Sequence, residues 1–407
     1  MERRELESRG YLVTSGFIDL HAHLREPGFE DSETIASGAR AALRGGFTTI
    51  CAMPNTEPAI DSPGLVTEVI VRGRNAGAAR VLPVATITRG RAGRELSDLI
   101  ELAAAGAVAF SDDGSPVDDP QLFRHALEYA RTGDLLIIEH AQDMGLSGKG
   151  VMNEGVVSAR LGLPGIPRAA EATAVARDIA IAEMTGARLH LTHISTRGAI
   201  GSIREAKARG LRITCDVTPH HLAMTDDWVA GVREFAWERR EPPAPSATPY
   251  DSATKVNPPL RGMSDVRALW EGLADGTVDA IATDHAPHAS VKKEVEFDQA
   301  AFGISGLETA LSLVLGGVNA GWADRDTVIR ALTTGPAGIL GIPVRDDDWV
   351  AIDPDVEWTV TAEALVSMGK NTPLMGRKLR GRVVYAVVGG EARYEGGLRG
   401  ATPVGSR

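Results

Sequence analysis

The chain has 407 residues, enough for one large domain with an appendage or for two or three ordinary ones. Its 43% hydrophobic and 24% charged residues are the balance of a soluble globular protein, and a net charge of −11 with no basic block argues against nucleic acid or an anionic membrane as partner. No apolar run approaches the roughly 20 residues that span a bilayer, and MERRELESRG lacks the apolar stretch of a signal peptide, so the cytoplasm is the expected compartment.

In chain order, short apolar runs recur, each followed by a longer helix-like segment. The runs are FIDLHAHL (17–24), TTICAMP (48–54), RVLPVATITR (80–89), AVAFSDDG (107–114), LLIIEHA (135–141), RLHLTHIST (188–196), RITCDVTPHH (212–221) and DAIATDHAP (279–287). Helical patterns such as SETIASGARAALRGG and DPQLFRHALEYARTG lie between them, with Ser32 and Asp119 as expected N-caps and Pro120 at the first helical position, where its missing N–H costs little. Eight strands alternating with helices predict an α/β fold, a (β/α)8 TIM barrel over residues 16–344. The alternative, an open doubly wound sheet, would want a glycine-rich phosphate loop after the first strand, and none follows it. Cys51 and Cys215 sit in strand-like runs and read as buried, reduced thiols. The segment 232–249, VREFAWERREPPAPSATP, is charged and Pro-rich and reads as a loop insertion before the eighth strand. After about residue 345 the pattern alternates with Gly turns, which predicts β-structure outside the barrel over 345–407.

Polar residues gather at the C-terminal ends of these strands, where this architecture builds its sites. His21 and His23 end the first, Asp113 the fourth, His140 the fifth, His193 the sixth and Asp284 the eighth. The period of two predicts that Phe17, Asp19, His21 and His23 share one face, as do Leu136, Ile138 and His140, and Leu189, Leu191 and His193. An HxH pair alone is weak. Four imidazoles and two carboxylates at one mouth suit a metallohydrolase holding one or two Zn²⁺ ions. His125 reads as structural, and His190, opposite His193, as packing or as support behind the ligands. His220 and His221 read as neighbours of the site, and His288 as a loop residue above the metals.

The stretches DLHAHLREPG, CAMPNTEP, AFSDDGSPV, EHAQD, LTHIST, CDVTPHHL, KVNPPLR, IATDHAPH and FGISGLETA together resemble the dihydroorotases of the amidohydrolase superfamily, over about residues 11–390. The resemblance implies that His21, His23 and Asp284 hold one metal, His140 and His193 the other, and that Asp113 bridges them. Many relatives bridge with a carboxylated lysine, so the aspartate argues against hydantoinases and allantoinases. It further implies Arg25, Asn55, Asn257 and His288 as substrate contacts, Asp284 as proton shuttle, and a mobile loop over 292–306 that closes on the substrate. The implied reaction is reversible cyclisation of N-carbamoyl-L-aspartate to L-dihydroorotate. The implied partners are a second copy of the chain and aspartate carbamoyltransferase. Two rivals stand beside this: another cyclic-amide hydrolase, and a catalytically silent homologue that only supports the carbamoyltransferase. Relatives carry a longer segment before the first barrel strand, so residues 1–15 are expected to be the remnant of a small, shortened β-subdomain, with a misassigned start as the preferred explanation.

Overall fold

In the computed structural model, described over residues 1–239 and 245–398, eight parallel strands form one sheet in sequential order. They are β1 (Phe17–Ala22), β2 (Phe47–Ala52), β3 (Arg80–Ala85), β4 (Ala109–Phe110), β5 (Leu136–Glu139), β6 (Arg188–Leu191), β7 (Ile213–Val217) and β8 (Ala280–Ile281). The ring closes between β1 and the residues after β8. Ala22 bridges His285, and the His23 N–H donates to the His285 carbonyl at 2.8 Å. Asp19 adds a side-chain stitch, accepting from the Thr283 N–H at 2.8 Å and its hydroxyl at 2.5 Å. The fold is a (β/α)8 barrel, as the strand count predicts.

Ile18, Leu20, Cys51, Met53, Val84, Ala109, Leu136, Ile138, Ala280 and Ala282 form a buried cluster drawn from around the ring, the filled barrel interior. Ala337, Ile339 and Leu340, from the helix Thr334–Leu340, close its lower end. Each fully buried Leu or Ile here is worth about 1.5–3 kcal/mol. Both cysteines are buried and free, and burial pushes both thiols up.

Helix Pro120–Thr132 starts as expected: the Asp119 carboxylate accepts from the N–H groups of Gln121 and Leu122, and Pro120 is the first helical residue. The first barrel helix does not. It begins at Ile35, and its cap is Thr34, in a reciprocal box with Ser37. Ser32 lies just before it, buried, with its hydroxyl accepting from the Ala289 N–H.

A second, four-stranded antiparallel sheet has the order Leu12–Ser15, Trp349–Thr359, Lys378–Val388, Glu391–Glu395. Leu12–Ser15 pairs from Leu12 opposite Ile352 to Ser15 opposite Trp349. A short helix, Arg3–Ser8, precedes it and buries Leu6 against Trp349, Val384 and Tyr385. Val350, Ile352, Val383 and Ala386 join the core shared with the barrel helices, and Arg80 pairs with Asp348 at 3.0 Å across the junction.

The expected 232–249 insertion includes residues 240–244, which lie outside the described residues. Its first part is not a free loop: Phe235 is buried, stacked on Trp237 at 5.1 Å, and packed with Trp358, Val360 and Leu379. No helix among the described residues is long and apolar enough to cross a membrane.

Candidate active site

Local backbone irregularities build the site. On β1, Asp19 pairs with Ile50 and Ala22 with Ala52, three residues advancing against two. This bulge changes the phase of the strand. The expected alternation is therefore wrong for β1: Ile18 and Leu20 fill the barrel, while Phe17 packs outside against Phe47 at 5.7 Å. After the bulge, His21 and His23 both turn into the mouth.

On β6 the expected pattern is again wrong. Leu189 and Leu191 pack into the helix layer, and His190, paired across from the inward Ile138, is the inner residue. His193 reaches the mouth because its backbone is left-handed, with φ 40°. Arg25 (φ 62°) and Asp284 (φ 45°) share that conformation. Non-glycine residues held there cost about 1–3 kcal/mol each, and three of them ring one site.

Asp113 stands at the centre. One carboxylate oxygen faces His21 Nε2 and His23 Nε2 at 3.4 and 3.5 Å. The other faces His140 Nδ1 and His193 Nε2, both at 3.3 Å. Asp284 lies 3.1 Å from His23 Nε2 and 3.6 Å from His21 Nε2. Five of the six residues expected from sequence thus meet in two three-residue groups that share Asp113, and Asp284 adjoins the first. The first Asp of the SDDG stretch turns away. Asp112 accepts from the N–H groups of Ile87 and Thr88, and burial pushes its carboxyl up to about 6.

Surrounding hydrogen bonds decide which ring nitrogens are free. Asp216, fully buried, accepts from the His193 N–H at 2.6 Å, from His190 Nε2 at 2.8 Å and from the Thr192 hydroxyl at 3.0 Å. Having given its proton to Asp216, Thr192 can only accept from His21 Nδ1, 2.9 Å away. That leaves a lone pair on His21 Nε2. Ser147 donates to the Asp143 carbonyl and so accepts from Gln142 Nε2. The Gln142 oxygen therefore faces His140 Nε2 at 2.7 Å, and His140 Nδ1 carries the lone pair. His23 Nδ1 donates to Asn55 Oδ1 at 2.8 Å, freeing its Nε2. His21 Nε2 and His23 Nε2 then stand 3.2 Å apart with lone pairs converging, an arrangement a cation between them relieves. Asp113 and Asp284 favour such a cation: burial opposes a charge on His21, yet the two carboxylates outweigh it and raise the imidazole to about 9, so a metal ion bound here would displace a proton. The donor set of imidazole nitrogen and carboxylate oxygen fits a borderline divalent metal such as zinc.

A cavity of about 240 Å³ opens over this centre. Arg25, Asn55, Asn257 and His288 line it, with Ala301, Phe302 and Gly303 from the segment expected to form a closing loop. Arg25 Nε donates to the Pro287 carbonyl at 3.1 Å, so its two terminal nitrogens are what it can offer a ligand. Asn257 donates to Gln142 at 2.8 Å, while its Oδ1 is buried with no partner in the protein. His288 Nε2 donates to the Phe302 carbonyl at 2.7 Å, and burial beside Arg25 holds its imidazole down to about 3.

The remaining histidines fall elsewhere. His125 is exposed on its helix. His221 is held between Thr218 and the Pro258 carbonyl, and His220 is buried with Nε2 unpartnered. His285 lies 3.4 Å from the buried Glu33. Sequence reading passed over Asp216, Thr192 and Gln142. A buried-looking Asp in the apolar run RITCDVT was the available signal for the first, and a place one residue before His193 and two after His140 for the others.

Residues 10–199 match the family model described as Dihydro-orotase-like. A protein named dihydroorotase from Anaeromyxobacter dehalogenans is 51% identical over 402 residues, covering 97% of this chain and 89% of the relative. One from Pelotomaculum thermopropionicum is 48% identical over 392 residues, covering 95% and 87%. Among solved structures, the L-hydantoinase (dihydropyrimidinase) of Arthrobacter aurescens superposes with a TM-score of 0.80 at 22% identity, covering 96% of this chain and 87% of that one. The D-hydantoinase of a Thermus species gives 0.75 at 23% identity, covering 95% and 85%. These two likenesses speak to the fold.

Proposed function

The chain belongs to the dihydroorotase family and is a hydrolase of cyclic amides, and we propose how its residues carry out that reaction. The reaction is the reversible cyclisation of N-carbamoyl-L-aspartate to L-dihydroorotate, a step of pyrimidine biosynthesis. The observation that carries the assignment of roles is Asp113, turning one oxygen to each of two histidine pairs. On this reading His21, His23 and Asp284 would hold one divalent ion and His140 and His193 a second, with Asp113 serving both and zinc as the metal. A bound ion would supply a water of lowered pKa and polarise the amide carbonyl.

The protein's own groups do the rest. Burial alone would raise Asp284, but the imidazoles of His23 and His21 bring it below the usual carboxylate range, so it is ionised. It accepts one proton of the attacking water and passes it to the ring nitrogen as the C–N bond breaks, base first and acid second, while the water's other proton leaves to solvent as the new carboxyl ionises. Ring closure runs the same path backwards. The terminal nitrogens of Arg25 grip the substrate's carboxylate as a fork. Asn257 Oδ1 accepts a ureido N–H, which its unpartnered state supports. Asn55, whose oxygen is engaged by His23, offers its amide protons. His288 completes the wall.

The same proposal places the enzyme in the cytoplasm, divides the chain at residues 15/16 and 344/345 into a catalytic barrel and a two-part β-subdomain, and includes a homo-oligomer and an association with aspartate carbamoyltransferase. Co-elution of the two enzymes on size exclusion tests the last point. The central test joins metal analysis with a dihydroorotate hydrolysis assay on the purified chain. Metal with turnover in the wild type, and no turnover in either direction for Asp284→Ala, is expected. Near-normal activity in that variant removes Asp284 from the role of proton shuttle.

A further inference from the structure

The wall of the catalytic cavity is held from outside the barrel. Asn371 lies in the connection between strands Trp349–Thr359 and Lys378–Val388, is 8% exposed, and stands apart from the residues assigned to the metals. Its carboxamide makes three bonds to two separate segments of the wall. Oδ1 accepts from the His288 N–H at 2.8 Å, and Nδ2 donates to the carbonyls of Ala286 and Gly303, both at 3.0 Å. An N–H on one side and two carbonyls on the other permit only one orientation of the amide. The Asn371 carbonyl accepts a fourth bond, from the Ser305 N–H at 3.0 Å.

A second hand holds the same place. Lys293 is 5% exposed, and its ammonium donates to the carbonyls of Ala301 at 2.7 Å and Gly303 at 3.0 Å. Between them Asn371 and Lys293 grip both ends of Ala301–Phe302–Gly303, and the middle carbonyl, that of Phe302, is the acceptor that orients the His288 ring. Two glycines let the backbones close. A Cβ at Gly303 would stand 2.7 Å from the Ala286 Cβ and 3.0 Å from His288 Nε2, and one at Gly369 would stand 2.5 Å from the His288 N. Neither approach tolerates a side chain.

We propose that Asn371, assisted by Lys293, is a positioning residue: it sets His288 and the Ala301–Gly303 wall against the substrate, coupling the four-stranded sheet to substrate binding. The inference rests on the reading of His288 as a substrate contact, and the experiment separates the two. Steady-state kinetics with dihydroorotate are run on the wild type, Asn371→Asp, His288→Ala and the double variant, with metal content and Tm measured for each. The carboxylate introduced by Asn371→Asp keeps the acceptor for His288 but sets oxygen against two carbonyls. Asn371→Asp is expected to raise KM about tenfold, the scale of the two wall bonds it weakens, with kcat within about threefold and metal content unchanged. In the His288→Ala background it is expected to add less than about twofold, because both changes disable one device. Effects that multiply, or a fall in kcat at constant KM, overturn the proposal. A raised KM in His288→Ala without one in Asn371→Asp removes the clamp and leaves the reading of His288 standing. An unchanged KM in His288→Ala removes that reading and the clamp with it. Should Asn371→Asp not fold, Lys293→Met loosens the same Gly303 carbonyl and must show the same split between KM and kcat.

Discussion

Replacing Asp216 by asparagine tests how the candidate metal centre is aimed. Removal to alanine is the wrong perturbation. It would strand three buried donors, at about 1–3 kcal/mol each, against a total stability of about 5–15 kcal/mol, so the chain itself would be at risk. Asparagine keeps the shape. Its oxygen must stay opposite the His193 N–H, now 2.6 Å from Oδ1, because the reverse orientation sets two donors together. The amide NH₂ is then forced to face His190 Nε2 and the Thr192 hydroxyl. Thr192 becomes an acceptor on that side and turns its proton toward His21 Nδ1. The His21 proton moves to Nε2, the nitrogen that faces Asp113 and Asp284. A ring that must give up this tautomer before binding a metal binds it more weakly. Loss of such an orienting partner costs about 10–100-fold in metal affinity, or about 1.4–2.8 kcal/mol. The assay is competition for zinc against a chromophoric chelator, on protein shown folded by its thermal transition. An affinity within about twofold of the wild type, well short of that range, refutes the relay from Asp216 through Thr192 to His21.

Two further outcomes follow from other parts of the molecule. Arg25→Lys should raise KM for dihydroorotate about tenfold or more with metal content unchanged, because a single ammonium cannot reproduce two terminal nitrogens. Loss of metal with KM intact would falsify the role given to Arg25. Glu139 is buried outside the barrel with Oε1 unpartnered, and burial together with Asp178 pushes its carboxyl well above the ordinary 4.5. In the unfolded chain it ionises near that ordinary value, so above about pH 4.5 the unfolded state releases a proton that the native state keeps, and stability is lost as pH rises. Glu139→Gln carries no such proton, so its Tm should gain on the wild type as the pH rises from about 4.5. A difference that stays constant with pH contradicts the assignment.

The barrel was legible because its signals are local and repeated: eight apolar runs, caps such as Asp119 before Pro120, and a polar residue at run after run's end. The six convergent residues were legible for the same reason. Their orientation was not. Alternation fails at the β1 bulge and at the left-handed His193, and neither is visible in residue type, since tertiary bonds to Asp216 and Thr283 impose them. The same error reversed the roles of His190 and Leu191. Ser32 resembled a cap as well as Thr34 does, and only the Ser37 partner separates them. Asn371 had no signal at all, because the groups that give it a purpose lie 68 to 85 residues away in the chain.

The ring of strands is joined at its seam by few groups: the bridge from Ala22 to His285 and the stitch from Asp19 to Thr283. His21 and His23 lie on one side of that seam and Asp284 on the other, with a separation of 261 in the chain between His23 and Asp284. An ion held by these three would act as a cross-link between the two ends of the barrel chain, closing a loop whose entropy the strand pairing meets with little help. Metal at this position would then be a structural fastener as well as a reagent, and its loss would loosen the ring first at the edge where the cavity opens.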